Sequence, residues 1–390
     1  MARSGFIYCH IPYWTILIAF FVEVLAGSLT SVCDGIQRST DAIVILGQKK
    51  HSSYDSTHST SLHPVLQSLL TNYAPAKESD ILIWHEGDLN VTDLPSMPGF
   101  SIRMCNLKES GAWGPPNNTR PLKAVDNWVG SFSAGYKYMI RFYAVTIWPL
   151  LDSLGYKWVM RFDDDSLLLS SVNYNMFDSL KQRGKQYGFR TYSAECGFKD
   201  TFAKFLDSFL TKRGIELAHI GGMTTNYCES AGEMGFYNNF FVANISWWLT
   251  NPNVTSFMSE FDNSNLIFTH RVSDLIFQSA AVRLFMSPMK RMRFIDFTYQ
   301  HHTVLNGKVL WGGIEAGLSD ENWRRTLKSY CHRFNVRGCK RFHFSQCILA
   351  SNASCHADSR YLNGSFDFSE GGCVLNYVQS GYSPYCSPFF

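Results

Sequence analysis

Hydrophobic and polar positions along this chain alternate between two periods. Residues 42–46 are a continuous apolar run of strand length, and after a polar loop Leu62, Val65, Leu66, Leu69 and Leu70 recur along one helical face. Further apolar runs follow at 81–84 and 102–105, then a Gly/Pro/Asn loop over 111–120. Helical spacing returns over 136–151, and residues 156–162 form the next strand. Short apolar strands separated by amphipathic helices are the pattern of a sheet covered on both faces, so this half predicts an α/β fold.

The pattern in the second half is more mixed. It predicts helices over 175–185 and 201–212, an aromatic strand over 236–242 and an Asn-rich loop over 251–265. A helix over 271–286 carries Leu275, Ser279, Val282 and Phe285 on one stripe, and a strand over 292–299 runs into Gln300, His301 and His302. There is no internal repeat and no low-complexity block.

Composition narrows the class. With 17% charged and 45% hydrophobic residues in 390, the chain is globular rather than disordered, and long enough for one large domain or two smaller ones. A formal charge of +3 without a dense basic run argues against a nucleic-acid partner. Arg3 precedes an apolar run over 11–22, and Val24-Leu25-Ala26-Gly27 resembles a small-residue cleavage site. The run is shorter than the roughly 20 residues of a full span, so residues 1–26 read as a signal peptide or a signal anchor. Both readings put the rest of the chain in the secretory pathway, with residues 27–40, rich in Ser and Thr, as a stem.

The cysteines agree with that compartment. Cys331, Cys339, Cys347, Cys355, Cys373 and Cys386 crowd the tail with no CxxC pair or zinc-like His spacing, so residues 306–390 predict a disulfide-stapled extension. Cys105, Cys196 and Cys228 could include a further pair, and Cys33 falls in the stem. Glycosylation sequons at Asn90, Asn117, Asn244, Asn253, Asn352 and Asn363 fit a lumenal protein.

The candidate chemistry starts where the strand at 156–162 runs into Asp163-Asp164-Asp165. Alternation points Asp163 and Asp165 the same way at the carboxyl end of a strand, where open α/β sheets bind ligands. Two such carboxylates suit a divalent ion that also takes phosphate oxygens. A solvated acidic turn or a structural calcium loop gives the same triplet. Asp274 at a helix start reads as a cap or as a catalytic carboxylate, and His301 at a strand end as a hydrogen-bonded turn or a ligand.

Six blocks in order resemble the fungal α-1,2-mannosyltransferases of glycosyltransferase family 15 over roughly 130–305. Tyr136-Lys137-Tyr138-Met139-Ile140-Arg141-Phe142-Tyr143 is similar to the family's Y-R-H-M-C-R-F-Y. Tyr156-Lys157-Trp158-Val159-Met160-Arg161-Phe162-Asp163-Asp164-Asp165 is similar to Y-x-Y-Y-W-R-V-E-P-D, and Val172-Asn173-Tyr174-Asn175-Met176-Phe177 to I-D-Y-D-P-F. Asn239-Phe240-Phe241-Val242-Ala243 resembles N-F-E-I-A, and Asp274-Leu275-Ile276-Phe277-Gln278-Ser279-Ala280-Ala281 resembles G-D-A-P-V-H-S-I-A. Phe294-Ile295-Asp296-Phe297-Thr298-Tyr299-Gln300-His301 resembles F-F-D-D-I-G-Y-x-H.

The resemblance implies a GT-A type nucleotide-sugar-binding α/β fold over 41–305, with a mixed sheet flanked by helices and the Cys-rich extension appended. It implies retaining transfer of mannose from GDP-mannose to a mannose-containing glycan on protein or lipid, in a type II protein of the Golgi membrane if the N-terminal segment stays uncleaved. By position it implies Mn2+ or another divalent cation on Asp163, Asp165 and His301. Arg141, Tyr143 and Asp163 fall on the donor side, and Asp274 and Tyr136 at the reacting centre, with Asp274 as base or orienter of the acceptor hydroxyl. Arg141 is equally compatible with a structural salt bridge.

One departure is chemical. Phe241 stands where the family has the Glu of N-F-E-I-A, and a phenyl ring can neither form a glycosyl ester nor stabilise a cation by charge. Three readings are open: same-face attack without that carboxylate, substitution by Glu229 or Glu233, or loss of activity. The alternatives to a mannosyltransferase are thus a transferase with another nucleotide sugar and an inactive, secreted carbohydrate-binding protein of the same fold.

Overall fold

Seven strands form one mixed sheet in a computed structural model of the chain: β1 (Asp41–Leu46), β2 (Asp80–His85), β3 (Ser101–Asn106), β4 (Trp158–Phe162), β5 (Tyr187–Phe189), β6 (Phe240–Asn244) and β7 (Arg291–Arg293). The structure describes residues 32–49, 62–116, 123–168, 170–190, 192–193, 199–215, 235–297, 299–301, 304–305, 308–309 and 346–348. The targeting segment, Cys196, Cys228, Glu229, Glu233 and nearly all of the Cys-rich extension lie outside these residues. No helix among the described residues is long and apolar enough to cross a membrane.

The order across the sheet is β3-β2-β1-β4-β6-β5-β7. β1, β2, β3 and β4 run parallel, whereas β6 is antiparallel to both β4 and β5. Ile43, Val44, Ile45, Ile81, Leu82 and Ile83 have no solvent exposure, as expected of β-branched strands covered on both faces. Because β6 is antiparallel, its start lies beside the end of β4, so the residues just before Phe240 sit next to the acidic triplet.

Alternation along this strand pair sorts the two faces. Arg161 pairs with Phe241 in register, and Phe162 with Phe240. Phe241 points toward Trp148 and Tyr187, with ring centroids 5.9 Å away in each case. Phe240 points the other way, toward Phe294, Phe297 and Tyr299. A second, three-stranded sheet orders Gln346–Ile348, Tyr299–His301 and Leu167–Leu168. Its register sets Tyr299 against Leu168 and Gln300 against Leu167, which carries His301 back to the acidic triplet.

Four elements differ from expectation, the first being the aromatic strand over 236–242, which is two short strands in different sheets, Gly235–Phe236 and Phe240–Asn244. The Asn-rich stretch at 251–265 is a helix, Pro252–Ser264, because Asn251 caps it through the backbone amides of Asn253 and Val254 and Pro252 occupies the first turn. Val254, Phe257, Met258 and Phe261 form its buried stripe, and Asn265 ends it in the left-handed conformation. Asparagine content suggests loop; asparagines placed as caps at both ends delimit a helix instead. The helix expected over 136–151 is interrupted by a π-helical turn, Phe142–Thr146, between Ala134–Arg141 and Ile147–Ser153. The single strand expected over 292–299 is two short ones in different sheets, Arg291–Arg293 and Tyr299–His301.

The stretch expected as a stem is packed from Val32 onward. Val32 and Cys33 are buried, and residues 32–34 run along the free edge of β3 through Asn106 N–H to the Val32 carbonyl and Asp34 N–H to the Met104 carbonyl, both 2.8 Å. Cys33 is disulfide-bonded to Cys105 across a separation of 72 residues, so the partner of Cys105 is the Cys of the expected stem and neither Cys196 nor Cys228. Covering an edge strand in this way hides a row of unpaired peptide groups. In the chain-entropy account a cross-link of that span contributes about 4 kcal/mol. A Cys33→Ser/Cys105→Ser variant is therefore expected to unfold at lower urea than the unaltered chain under oxidising conditions, with the gap closing when both are reduced.

Candidate metal and donor site

The site begins with a buried arginine. Arg161 ends an otherwise apolar strand, and only 3% of its side chain is exposed. Its Nε donates to Asp163 Oδ1 at 2.7 Å and its Nη2 to Asp163 Oδ2 at 3.2 Å, while Nη1 donates to Asp274 Oδ2 at 2.5 Å. The guanidinium lies 3.6 Å from the centroid of the Tyr143 ring, a stacked cation–π contact. Asp274 arrives from the first turn of the helix Asp274–Phe285, capped by the Ser273 hydroxyl. Its Oδ2 also accepts from Asn238 Nδ2 at 2.7 Å, and Asn238 contacts Gln278 at 3.3 Å. Gln278, itself buried, donates to the Tyr143 carbonyl in the π-helical turn at 2.8 Å. A departure from α-helical pairing thus gives a buried glutamine its acceptor.

Asp163, Asp165 and His301 come together at the other side of Asp163. One ligand atom from each lies within 4.8 Å of the other two. His301 Nε2 is 3.1 Å from Asp165 Oδ1 and 3.5 Å from Asp163 Oδ2. Its Nδ1 is held by the Tyr237 hydroxyl at 2.7 Å, which fixes the ring with Nε2 facing the carboxylates. Asn239, from the turn before β6, places Nδ2 2.5 Å from Asp163 Oδ2 and 2.8 Å from His301 Nε2. Two carboxylates and an imidazole are a donor set that accepts manganese, which takes oxygen and nitrogen ligands together. The residues present therefore fit the ion. Asp164, the middle of the triplet, is not in the cluster.

Electrostatics follow from the packing. Burial raises the Asp163 pKa, but the Arg161 and His301 charges outweigh it and hold the carboxylate below its ordinary value. Burial likewise opposes a charged His301, but Asp165 and Asp163 draw its pKa up to about 9. Burial pushes the hydroxyls of Tyr143 and Tyr187 up, so both stay neutral.

The remaining expected residues divide between this site and its surroundings. Arg141 is held in a salt bridge: its Nε and Nη2 each lie 2.7 Å from an oxygen of Asp262, and Nη1 donates to the Gly114 carbonyl at 3.1 Å. A two-pronged fit to a carboxylate uses the fork that phosphate would use. Tyr136 stacks on Phe132 at 5.0 Å, and its hydroxyl accepts from Arg271. That joins it to a cluster separate from the Asp163 contacts. Tyr143 is a buried shelf for Arg161. Phe241 is wholly buried.

The mixed sheet, with an antiparallel strand next to the one that ends in the acidic triplet, is a GT-A-like α/β fold. The family model described as glycolipid 2-alpha-mannosyltransferase matches residues 120–310. The probable mannosyltransferase KTR3 of Saccharomyces cerevisiae is 28% identical over 182 residues, 44% of this chain and 43% of its own. The glycolipid 2-alpha-mannosyltransferase of the same yeast is 25% identical over 190 residues, 46% and 41% respectively. The matched part is thus less than half of either relative. The core-mannan synthase A structure from Aspergillus fumigatus, in its Mn/GDP form, aligns with a TM-score of 0.54 at 14% identity over 69% of this chain and 76% of that one. The mannosyltransferase Ktr4p from S. cerevisiae aligns at 0.52 and 17% identity over 73% and 80%. These structures share the fold. Over residues 120–310 the chain is thus similar to glycosyltransferase family 15, at a distance.

Two outcomes are expected. Replacing Arg161 with Met strands two buried carboxylates, a loss of about 3–5 kcal/mol that urea unfolding will register. His301 has its folded pKa raised from 6.5 to about 9, so its contribution to metal-free stability is complete below pH 6.5 and is lost as pH rises through about 9. The thermal midpoint of the metal-free protein should fall across that window, and the fall should shrink in His301→Ala. A divalent ion must displace the same proton, so manganese affinity should rise with pH over that interval.

Proposed function

We propose that the protein is a metal-dependent retaining glycosyltransferase that moves mannose from GDP-mannose to a mannose-containing glycan. The observation that carries this reading is the convergence of Asp163, Asp165 and His301 at the end of β4 in a chain whose residues 120–310 match the mannosyltransferase family model. Two further facts support it: the relatives are named as mannosyltransferases, and core-mannan synthase A is described in an Mn/GDP form. Asp163, Asp165 and His301 would hold the ion, which when bound supplies a Lewis acid for the charge developing on the departing diphosphate.

The chain's own groups do the rest. Arg161 fixes the rotamer of Asp163, and Tyr237 fixes the ring of His301. Asp274 is buried and oriented by Arg161 and Asn238, so its role is to position the acceptor hydroxyl or take its proton. Tyr136, packed against Phe132 and Arg271, belongs to the reacting centre of this proposal by the family resemblance alone. The setting is the secretory pathway, in keeping with the Cys33–Cys105 disulfide, and a type II anchor in the Golgi membrane belongs to the same proposal.

A second reading has its own observation. Phe241 fills the position of the family's glutamate with a buried ring, which suits a fold kept for glycan binding without turnover. Release of GDP from GDP-mannose by the purified chain, with manganese and a mannoside acceptor, separates the two. Asp165→Ala and His301→Ala should lose at least about 100-fold of that release while their circular dichroism is unchanged. Normal turnover in both variants would sink the metal assignment. Glycan binding with no GDP release across a panel of nucleotide sugars would establish the second reading instead.

A further inference from the structure

The Asn239 side chain touches two of the three candidate ligands at once. Its amide nitrogen is 2.5 Å from Asp163 Oδ2 and 2.8 Å from His301 Nε2, the atoms that face the ion's position. Ligands of one small divalent ion lie about 3 Å from one another, so a group at these distances from both stands where a further ligand would stand. The backbone holds it there. Asn239 directly precedes β6, and since Phe240 pairs with Phe162, continuing the ladder by one residue sets Asn239 against Asp163. The Tyr299 hydroxyl donates to the Asn239 carbonyl at 3.2 Å and is 2.7 Å from Ser166 Oγ, tying this turn to the loop that carries the triplet.

An asparagine amide presents a donor nitrogen and an acceptor oxygen at one position, interchanged by a half-turn of the side chain. With the nitrogen inward it donates to Asp163 and lies 2.8 Å from His301 Nε2, as seen here. With the oxygen inward it offers a neutral oxygen to a cation. We propose that Asn239 is a fourth protein ligand of the divalent ion, its carbonyl oxygen joining Asp163, Asp165 and His301. The proposal rests on the metal reading of that triad. The resulting set is one imidazole nitrogen, two carboxylates and one neutral oxygen, a mixture suited to manganese.

The test is manganese binding to the full chain, followed by electron paramagnetic resonance as the free ion is depleted, with no sugar nucleotide present. Asn239→Ala should weaken binding at least tenfold, whereas Asn239→Asp, which keeps an oxygen at the same reach, should hold or improve it. A hydrogen-bond role alone predicts that both variants weaken binding, because aspartate, like alanine, cannot donate to Asp163. Asn239→Asp binding as weakly as Asn239→Ala would therefore overturn the assignment. If either variant fails to fold, the unaltered chain grown with asparagine 13C-labelled at the side-chain carbonyl decides the matter. A 13C hyperfine coupling to bound manganese supports ligation, and its absence refutes it. Unaltered protein that binds no manganese refutes the metal reading itself, and the Asn239 assignment falls with it. Manganese binding that is lost in His301→Ala but unchanged in Asn239→Ala refutes only the latter.

Discussion

Arg161 is enclosed at the end of β4 with Asp163 on one side, Asp274 on the other and the Tyr143 ring against its face. A charge so far from water persists only with partners that return what desolvation removes. Here two carboxylates share one cation, and each is thereby fixed in direction. Asp163 presents its remaining surface to Asp165 and His301, and Asp274 is locked at the head of its helix. The demand propagates outward: Asn238 completes Asp274, Gln278 meets Asn238, and the π-helical turn supplies the carbonyl that Gln278 needs. A local irregularity in one helix and the acidic triplet at a strand end thus belong to one hydrogen-bonded unit.

The same unit explains why the strands are ordered as they are. Only an antiparallel β6 can bring the turn Asn238–Asn239 to the carboxyl end of β4, and only the short pairing of Tyr299–His301 with Leu167–Leu168 can return His301 to it. Three chain segments far apart in sequence therefore meet at one strand end. Phe240, Phe294, Phe297 and Tyr299 form the apolar floor beneath this junction. Many of the described aromatic side chains are buried, in that floor, around Trp148 and in a cluster of Phe257, Phe261 and Phe277.

Much of this was legible where one local signal dominates. The apolar runs of β1, β2 and β4 have strand length and no competing period, and the spacing of Leu62, Val65, Leu66 and Leu69 admits one face. The candidate metal triad was reachable because strand alternation pairs Asp163 with Asp165, with His301 supplied by the family resemblance. What escaped depends on partners distant in sequence. Arg161 and Arg141 both lie in resembling blocks, and nothing local says that Arg141 meets Asp262 whereas Arg161 meets Asp163. The available signal was an ionisable residue inside a strand otherwise too apolar to face water. Cys33 escaped for a similar reason, since composition marks Ser and Thr as a stem but cannot show that the segment covers the edge of β3. The asparagines of 251–265 were read by type when their position, at the ends of a Phe-rich helical stripe, carried the information.

Phe241 obeys the same charge balance. Its register partner is Arg161, so a carboxylate at this position would sit across the strand pair from a guanidinium that already balances two. Filling the position with a ring avoids a third carboxylate around the Arg161 guanidinium, and Trp148 and Tyr187 close over it. The substitution is therefore compatible with an intact metal and acceptor side, because neither the triad nor Asp274 depends on a group at 241 for its orientation. What it removes is a protein nucleophile on this face of the sheet. Within the proposed reaction, and among the described residues, that leaves an acceptor approach from the face the diphosphate leaves, with Asp274 the buried carboxylate already oriented by the same arginine, while Glu229 and Glu233 lie outside the described residues.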